Sequence, residues 1–223
     1  MKINKQFFLF IGLFFSSLIF AGEITSFTKK GNEVTFNCKD GSKLSLTINS
    51  SSVVKVWFDQ SGKFSRQNPS FAIVNDQLEN VGDISVNEEP SAYEIFTSKI
   101  RIRVNKNPMQ LQIFDKWQKL IFSDFNEKGH VPSGKSVKSY KNLRSDEQFF
   151  GLGEKTGTLN RRGKNYKMWN SDKPCYSTTE DPIAKSRPFF MSSYNYGIFL
   201  DNTYKSEFKF GTESQDYYAF EAP

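Results

Sequence analysis

Residues 99–113 read KIRIRVNKNPMQLQI, and their pattern decides the fold class. Ile100, Ile102 and Val104 alternate with Lys99, Arg101 and Arg103, and beyond Asn107-Pro108 the residues Met109, Leu111 and Ile113 keep the same period. A period of two places successive side chains on opposite faces of an extended chain, so both segments predict strands with one buried and one wet face. Towards the N-terminus, Val34, Phe36 and Cys38 alternate with Thr35 and Asn37, Asp40-Gly41 marks a tight turn, and Leu44, Leu46 and Ile48 alternate again. That is a hairpin signal. Val54, Val56 and Phe58 continue it before a turn over 59–63; residues 66–80 are less regular, and strand signals resume at Ile84. Towards the C-terminus, strands are predicted over 120–122 and around 137–143, separated by a polar loop over 126–138. Phe208 and Phe210 alternate with Glu207 and Lys209, and a final apolar strand covers 217–220. No stretch sustains a helical period, so the expectation is one all-β domain, an antiparallel sandwich.

The first residues stand apart from this pattern. Lys2 and Lys5 precede an apolar run over 7–20, with Ser16, Ser17 and Ala21 near its end. This reads as a signal peptide over 1–21, followed by a domain over 22–223 exported to the periplasm or the extracellular space. The run is shorter than the roughly 20 apolar residues of a membrane span, so no membrane association is expected after cleavage. The formal charge of +6 comes from cations interleaved with acids rather than gathered in a stripe, which argues against nucleic acid as a partner. Cys38 and Cys175 are the only cysteines. Cys38 is in phase with Val34 and Phe36 and reads as a buried free thiol, with a Cys38 to Cys175 bridge as the alternative.

One segment carries more than a strand pattern. Residues 149–176 read FFGLGEKTGTLNRRGKNYKMWNSDKPCY: a short apolar strand signal, turns on Gly151 and Gly153, a polar loop with Arg161, Arg162 and Lys164, and a close on Trp169, Asn170, Asp172 and Pro174. An aromatic plane beside hydrogen-bonding groups suits a sugar, whose C–H faces are apolar and whose rim is hydroxyls. The bland alternatives are a Trp filling the core and an Asp closing an Asx turn ahead of Pro174.

In order and spacing, GLGEKTG, LNRRGK, MWNSD and Pro174 with Tyr176, then Pro188-Phe189-Phe190 and YGIFLDN over 196–202, resemble the N-terminal domain of the retaining α-glucosidases of glycoside hydrolase family 31. The likeness covers 149–211; upstream only a general strand pattern is shared. It implies a large galactose-mutarotase-like supersandwich that acts as scaffold and substrate gate for a (β/α)8 barrel in the same polypeptide, with α-linked gluco-oligosaccharide as substrate and no cofactor. It also implies a role for the loop, which would line the leaving-group sugar subsite: Trp169 as the stacking surface, Asp172 as hydroxyl acceptor, Asn170 as a weaker contact, Cys175 and Tyr176 at the rim. Cys175 departs from the common pattern. Retaining hydrolysis needs two carboxyl groups about 5 to 5.5 Å apart. The family's pair lies on the barrel and matches nothing here, so this polypeptide is expected to be inactive by itself. The family strand matching 217–220 is followed by another of the same sheet, so an unpaired edge is expected there, with apolar side chains near Trp169 left in water.

Other constellations are weaker. Asp172, Glu180 and Asp181 are close in sequence, but acids ahead of prolines are usually turn formers. Glu154 is expected to stabilise its own loop through backbone N–H groups, Arg161 or Arg162, and the basic residues to be solvated or salt-bridged. Gly151, Gly153 and Gly157 lack the strand-to-helix context of a dinucleotide fingerprint. His130, the sole histidine, reads as a loop residue without metal-binding partners, and an aldose epimerase would need more than one. A free-standing carbohydrate-binding or interaction module is the competing reading.

Overall fold

The computed structural model describes residues 22–64, 72–73, 81, 84–126, 128–181 and 183–223; the segment read as a signal peptide and most of 66–80 lie outside the described residues. In the first half, β1 (Ile24–Lys30), β2 (Glu33–Cys38), β3 (Lys43–Ile48) and β4 (Val54–Asp59) form a four-stranded antiparallel meander. A second, five-stranded meander holds β5 (Val86–Glu88), β6 (Ala92–Phe96), β7 (Ile100–Lys106), β8 (Met109–Asp115) and β9 (Leu120–Ser123). The expected hairpin forms with Val34 opposite Leu46 and Phe36 opposite Leu44, and in the second sheet Ile102 faces Ile113 and Val104 faces Leu111. Alternation therefore delivers each buried row to one face. The two sheets close on a shared core in which Val34, Phe36, Leu46, Ile48, Ile95, Ile102 and Val104 are wholly inaccessible.

The second half uses shorter strands: β10 (His130–Ser133), β11 (Ser136–Asn142), β12 (Phe149–Gly151), β13 (Asn165–Met168), β14 (Phe189–Ser192), β15 (Tyr196–Phe199), β16 (Ser206–Lys209) and β17 (Tyr217–Ala222). They build a five-stranded sheet in the order β10-β11-β17-β16-β13 and a three-stranded sheet β12-β14-β15. Its core is aromatic. Phe149, Phe190, Phe208, Phe210 and Tyr218 are fully buried, and the Phe190 ring stands nearly perpendicular to those of Phe210 and Tyr218, 5.1 and 5.8 Å away. Edge-to-face contact of this kind adds to the area the rings bury. No helix occurs among the described residues.

Two expectations fail here. The strand over 217–220 has no free edge, because β17 pairs with β11 on one side and β16 on the other. And the loop expected over 126–138 contains β10, an edge strand in which Pro132 is tolerated. His130, on β10, is buried rather than in a loop: its ring stacks on Phe58 at 5.1 Å and its Nδ1 lies 2.8 Å from Ser139 Oγ. The two halves are joined by a bridge between Asp124 and Lys141, whose side chains form a buried ion pair. Asp124 Oδ2 also accepts the Leu111 amide, so the carboxylate ties β8 to β11. Such a pair adds little net stability but fixes geometry, since either charge alone would be left uncompensated.

Candidate functional site

After β12 the chain turns sharply. Gly151 has φ 132°, and a Cβ there would lie 2.5 Å from the Phe189 carbonyl oxygen, so only glycine fits against β14. Arg161 fills the centre of the loop that follows. It is buried, not solvated: its Nε donates to the Gly151 carbonyl (3.1 Å) and one terminal nitrogen to the carbonyls of Thr156 and Thr158 (3.3 and 2.9 Å). Arg162 likewise donates to the carbonyls of Arg144 and Glu147. The planar forks of these arginines satisfy loop carbonyls that a β-rich scaffold leaves without partners. Glu154 bonds neither of them and instead faces Lys185 at 3.7 Å.

From this platform β13 leads into the loop carrying the candidate residues. Its two feet are stapled together. The Lys155 side chain, with no solvent exposure, donates to the Lys167 carbonyl and to Asp181 Oδ1, each at 2.7 Å, while Asp181 Oδ2 accepts the Lys167 amide. Thr156 Oγ1 donates to the Glu180 carbonyl (2.7 Å). A surface loop whose ends meet in this way is an Ω-loop. At its start Trp169 is 54 % exposed, and Asn170, Asp172, Cys175 and Tyr176 are exposed beyond it. The alternative of Trp169 as core filler is excluded. The Asp172 carboxylate makes no hydrogen bond or ion pair among the described residues, so no Asx turn holds it.

Of the three acids in this segment, Glu180 is paired with Lys173 and Asp181 with Lys155, which leaves Asp172 as the open carboxylate among them. The arrangement can stack on and hydrogen-bond a ligand; it offers no carboxyl pair for bond cleavage. Both cysteines are free, Cys38 buried with its Sγ 3.6 Å from Met109 Sδ and its thiol pKa raised by burial.

Sequence reasoning missed Glu147. Wholly buried, it accepts hydrogen bonds from Ser192 Oγ and the Tyr196 hydroxyl under β14 and β15, and the Tyr196 and Tyr218 hydroxyls meet at 3.0 Å. Burial, then the charge of Glu147, raises the Tyr196 pKa far above the ordinary phenol value. No short motif flags it, since its partners lie far along the chain. Above this network the outer face of β14 and β15 leaves Phe189, Met191 and Phe199 exposed beside a groove of about 550 Å³, lined also by Leu152, Arg187 and Asn202.

Comparison with known proteins bears on this geometry. The model of the glycosyl hydrolase 31 N-terminal galactose mutarotase-like domain matches residues 43–208. Alpha-glucosidase 2 of Bacillus thermoamyloliquefaciens is 30% identical over 200 residues, covering 88% of this chain and 25% of that protein. A Flavobacterium johnsoniae GH31 dextranase, solved in complex with isomaltotriose, superposes with a TM-score of 0.88 at 60% identity over 92% of this chain and 25% of its own. The cycloalternan-forming enzyme of Listeria monocytogenes shares the fold with a TM-score of 0.78 at 20% identity, over 91% of this chain and 19% of that one. The chain thus spans about a quarter, or less, of the length of these proteins.

Proposed function

This chain belongs to the glycosyl hydrolase 31 family as its N-terminal galactose mutarotase-like domain, and on that premise we propose that it forms the sugar-facing wall of an exported enzyme acting on α-linked gluco-oligosaccharides. The substrate class follows the relatives: one is a dextranase seen with isomaltotriose, another an α-glucosidase. An isomalto-oligosaccharide or dextran chain is therefore the ligand we assign. Trp169 stacks on a glucosyl ring, Asp172 accepts hydrogen bonds from its hydroxyls, and Asn170 contributes a further polar contact. The carboxylates that cleave the bond belong to a catalytic barrel in the same polypeptide, so residues 22–223 alone do not hydrolyse. The exposed outer face bearing Phe189, Met191 and Phe199 suits burial against such a domain, since contiguous apolar surface marks an interaction site. Export rests on the basic and apolar pattern of residues 1–21.

The observation that carries this reading is Trp169 held in solvent at the head of a loop with stapled feet. Calorimetric titration of the intact polypeptide with a thio-linked isomaltotriose analogue, which the barrel cannot hydrolyse, tests it. Trp169→Ala is expected to weaken binding by about tenfold or more, the scale of one lost stacking contact. Trp117→Phe, on the β8 to β9 turn, should leave binding as it was. Equal affinity for Trp169→Ala and the unaltered protein would overturn the reading.

A further inference from the structure

The feet of the Trp169 loop are held by charged side chains that satisfy backbone groups at its start. Lys155 reaches its position from the Gly153 turn with its whole side chain out of solvent, and its ammonium grips the Lys167 carbonyl from one side. Asp181 reaches the Lys167 amide on that same side, and the two charges meet at 2.7 Å. Both backbone groups of the residue two positions before Trp169 are thereby fixed by side chains from outside its own strand. Further along, the Ser171 amide bonds the Ile183 carbonyl at 3.3 Å, so Trp169 is anchored on both sides and Asp172 stands one residue beyond the second anchor. A buried ion pair contributes little to net stability against an apolar replacement and more to a unique geometry.

Resting on the sugar-facing role just given, we infer that Lys155 and Asp181 are positioning residues for that site, setting where Trp169 and Asp172 stand without touching the sugar themselves. Their loss is felt as affinity. Misplacement by about 1 Å costs up to about a hundredfold in a reaction step, where geometry is most demanding, and a smaller loss is expected for binding.

Affinity of the intact polypeptide for the thio-linked isomaltotriose analogue, read together with its thermal midpoint, distinguishes the possibilities. Lys155→Met is expected to weaken binding about tenfold. Asp181→Asn keeps an oxygen for the Lys167 amide but leaves the buried Lys155 charge without its partner, so it should lower the midpoint and give an intermediate loss of affinity, read well below that midpoint. Lys155→Arg retains donors for both the carbonyl and the carboxylate, and should restore most of the affinity. If Lys155→Met unfolds the protein, Asp181→Asn and Lys155→Arg decide alone. Unchanged affinity in Asp181→Asn and Lys155→Met, where Trp169→Ala does weaken binding, overturns the positioning role and leaves the sugar-facing loop standing. Unchanged affinity in Trp169→Ala, or no binding by the unaltered protein, removes the premise as well.

Discussion

The first half of the sandwich buries mostly aliphatic side chains on strands mostly of five to seven residues, each paired with its neighbour in sequence; the second buries mostly phenylalanine and tyrosine on strands often of three or four, several paired across long stretches of chain. Aromatic rings bury more area per residue, so fewer positions complete the second core. The chain released from strand duty becomes the loops over 152–164 and 169–188, which carry the arginine supports, the ion-paired feet and the exposed tryptophan. The fully buried Phe149, Phe190, Phe208, Phe210 and Tyr218 are therefore expected to carry most of the packing stability of this half. The contrast is between a half built from local strand pairs and a half in which a dense aromatic core accompanies the loop we propose to bind sugar.

Truncation within each core probes that contrast most strongly. Phe190→Ala removes a ring packed against four aromatic neighbours and is expected to destabilise the protein by about 3–5 kcal/mol, whereas the matching truncation Ile102→Ala in the first core should cost about 2–3 kcal/mol. Urea denaturation measures both. Equal costs would mean that the aromatic cluster is not the concentrated support proposed for it.

A smaller effect should appear with pH at the seam between the halves. Burial, then the charge of Lys141, lowers the His130 pKa to about 3, partly opposed by Asp124. Because the folded value lies below the unfolded one, the contribution of His130 is fully present above about pH 6.5 and is lost as pH falls towards 3. Between pH 7 and 5 the loss attributable to this residue should reach about 2 kcal/mol. His130→Gln should flatten that part of the stability curve, and an unchanged slope would show that the seam does not depend on the neutral imidazole.

Much of the first half was legible because its information is local. The hairpin over 33–48 and the pair over 100–115 show period-two alternation and adjacent pairing, so register followed from the residues themselves. The second half defeated the same reasoning where pairing is distant. β17 acquired its second partner, β11, from far back in the chain, and nothing in residues 217–220 announces that. β10 was hidden by Pro132 and by a histidine that reads as polar but packs as a ring against Phe58. At the site, the exposed residues Trp169, Asn170 and Asp172 were readable as a type of surface. Their supports were not: Arg161 is buried through carbonyls that a sequence does not display, and the Lys155 to Asp181 pair joins positions that only the folded loop brings together.

A crystal structure of the intact polypeptide with the thio-linked isomaltotriose analogue bound tests the central claim most directly. A glucosyl ring should lie about 4 Å from the face of Trp169, with a hydroxyl about 3 Å from the Asp172 carboxylate. A bound sugar touching neither residue, with Trp169 packed instead against neighbouring protein, would contradict the account.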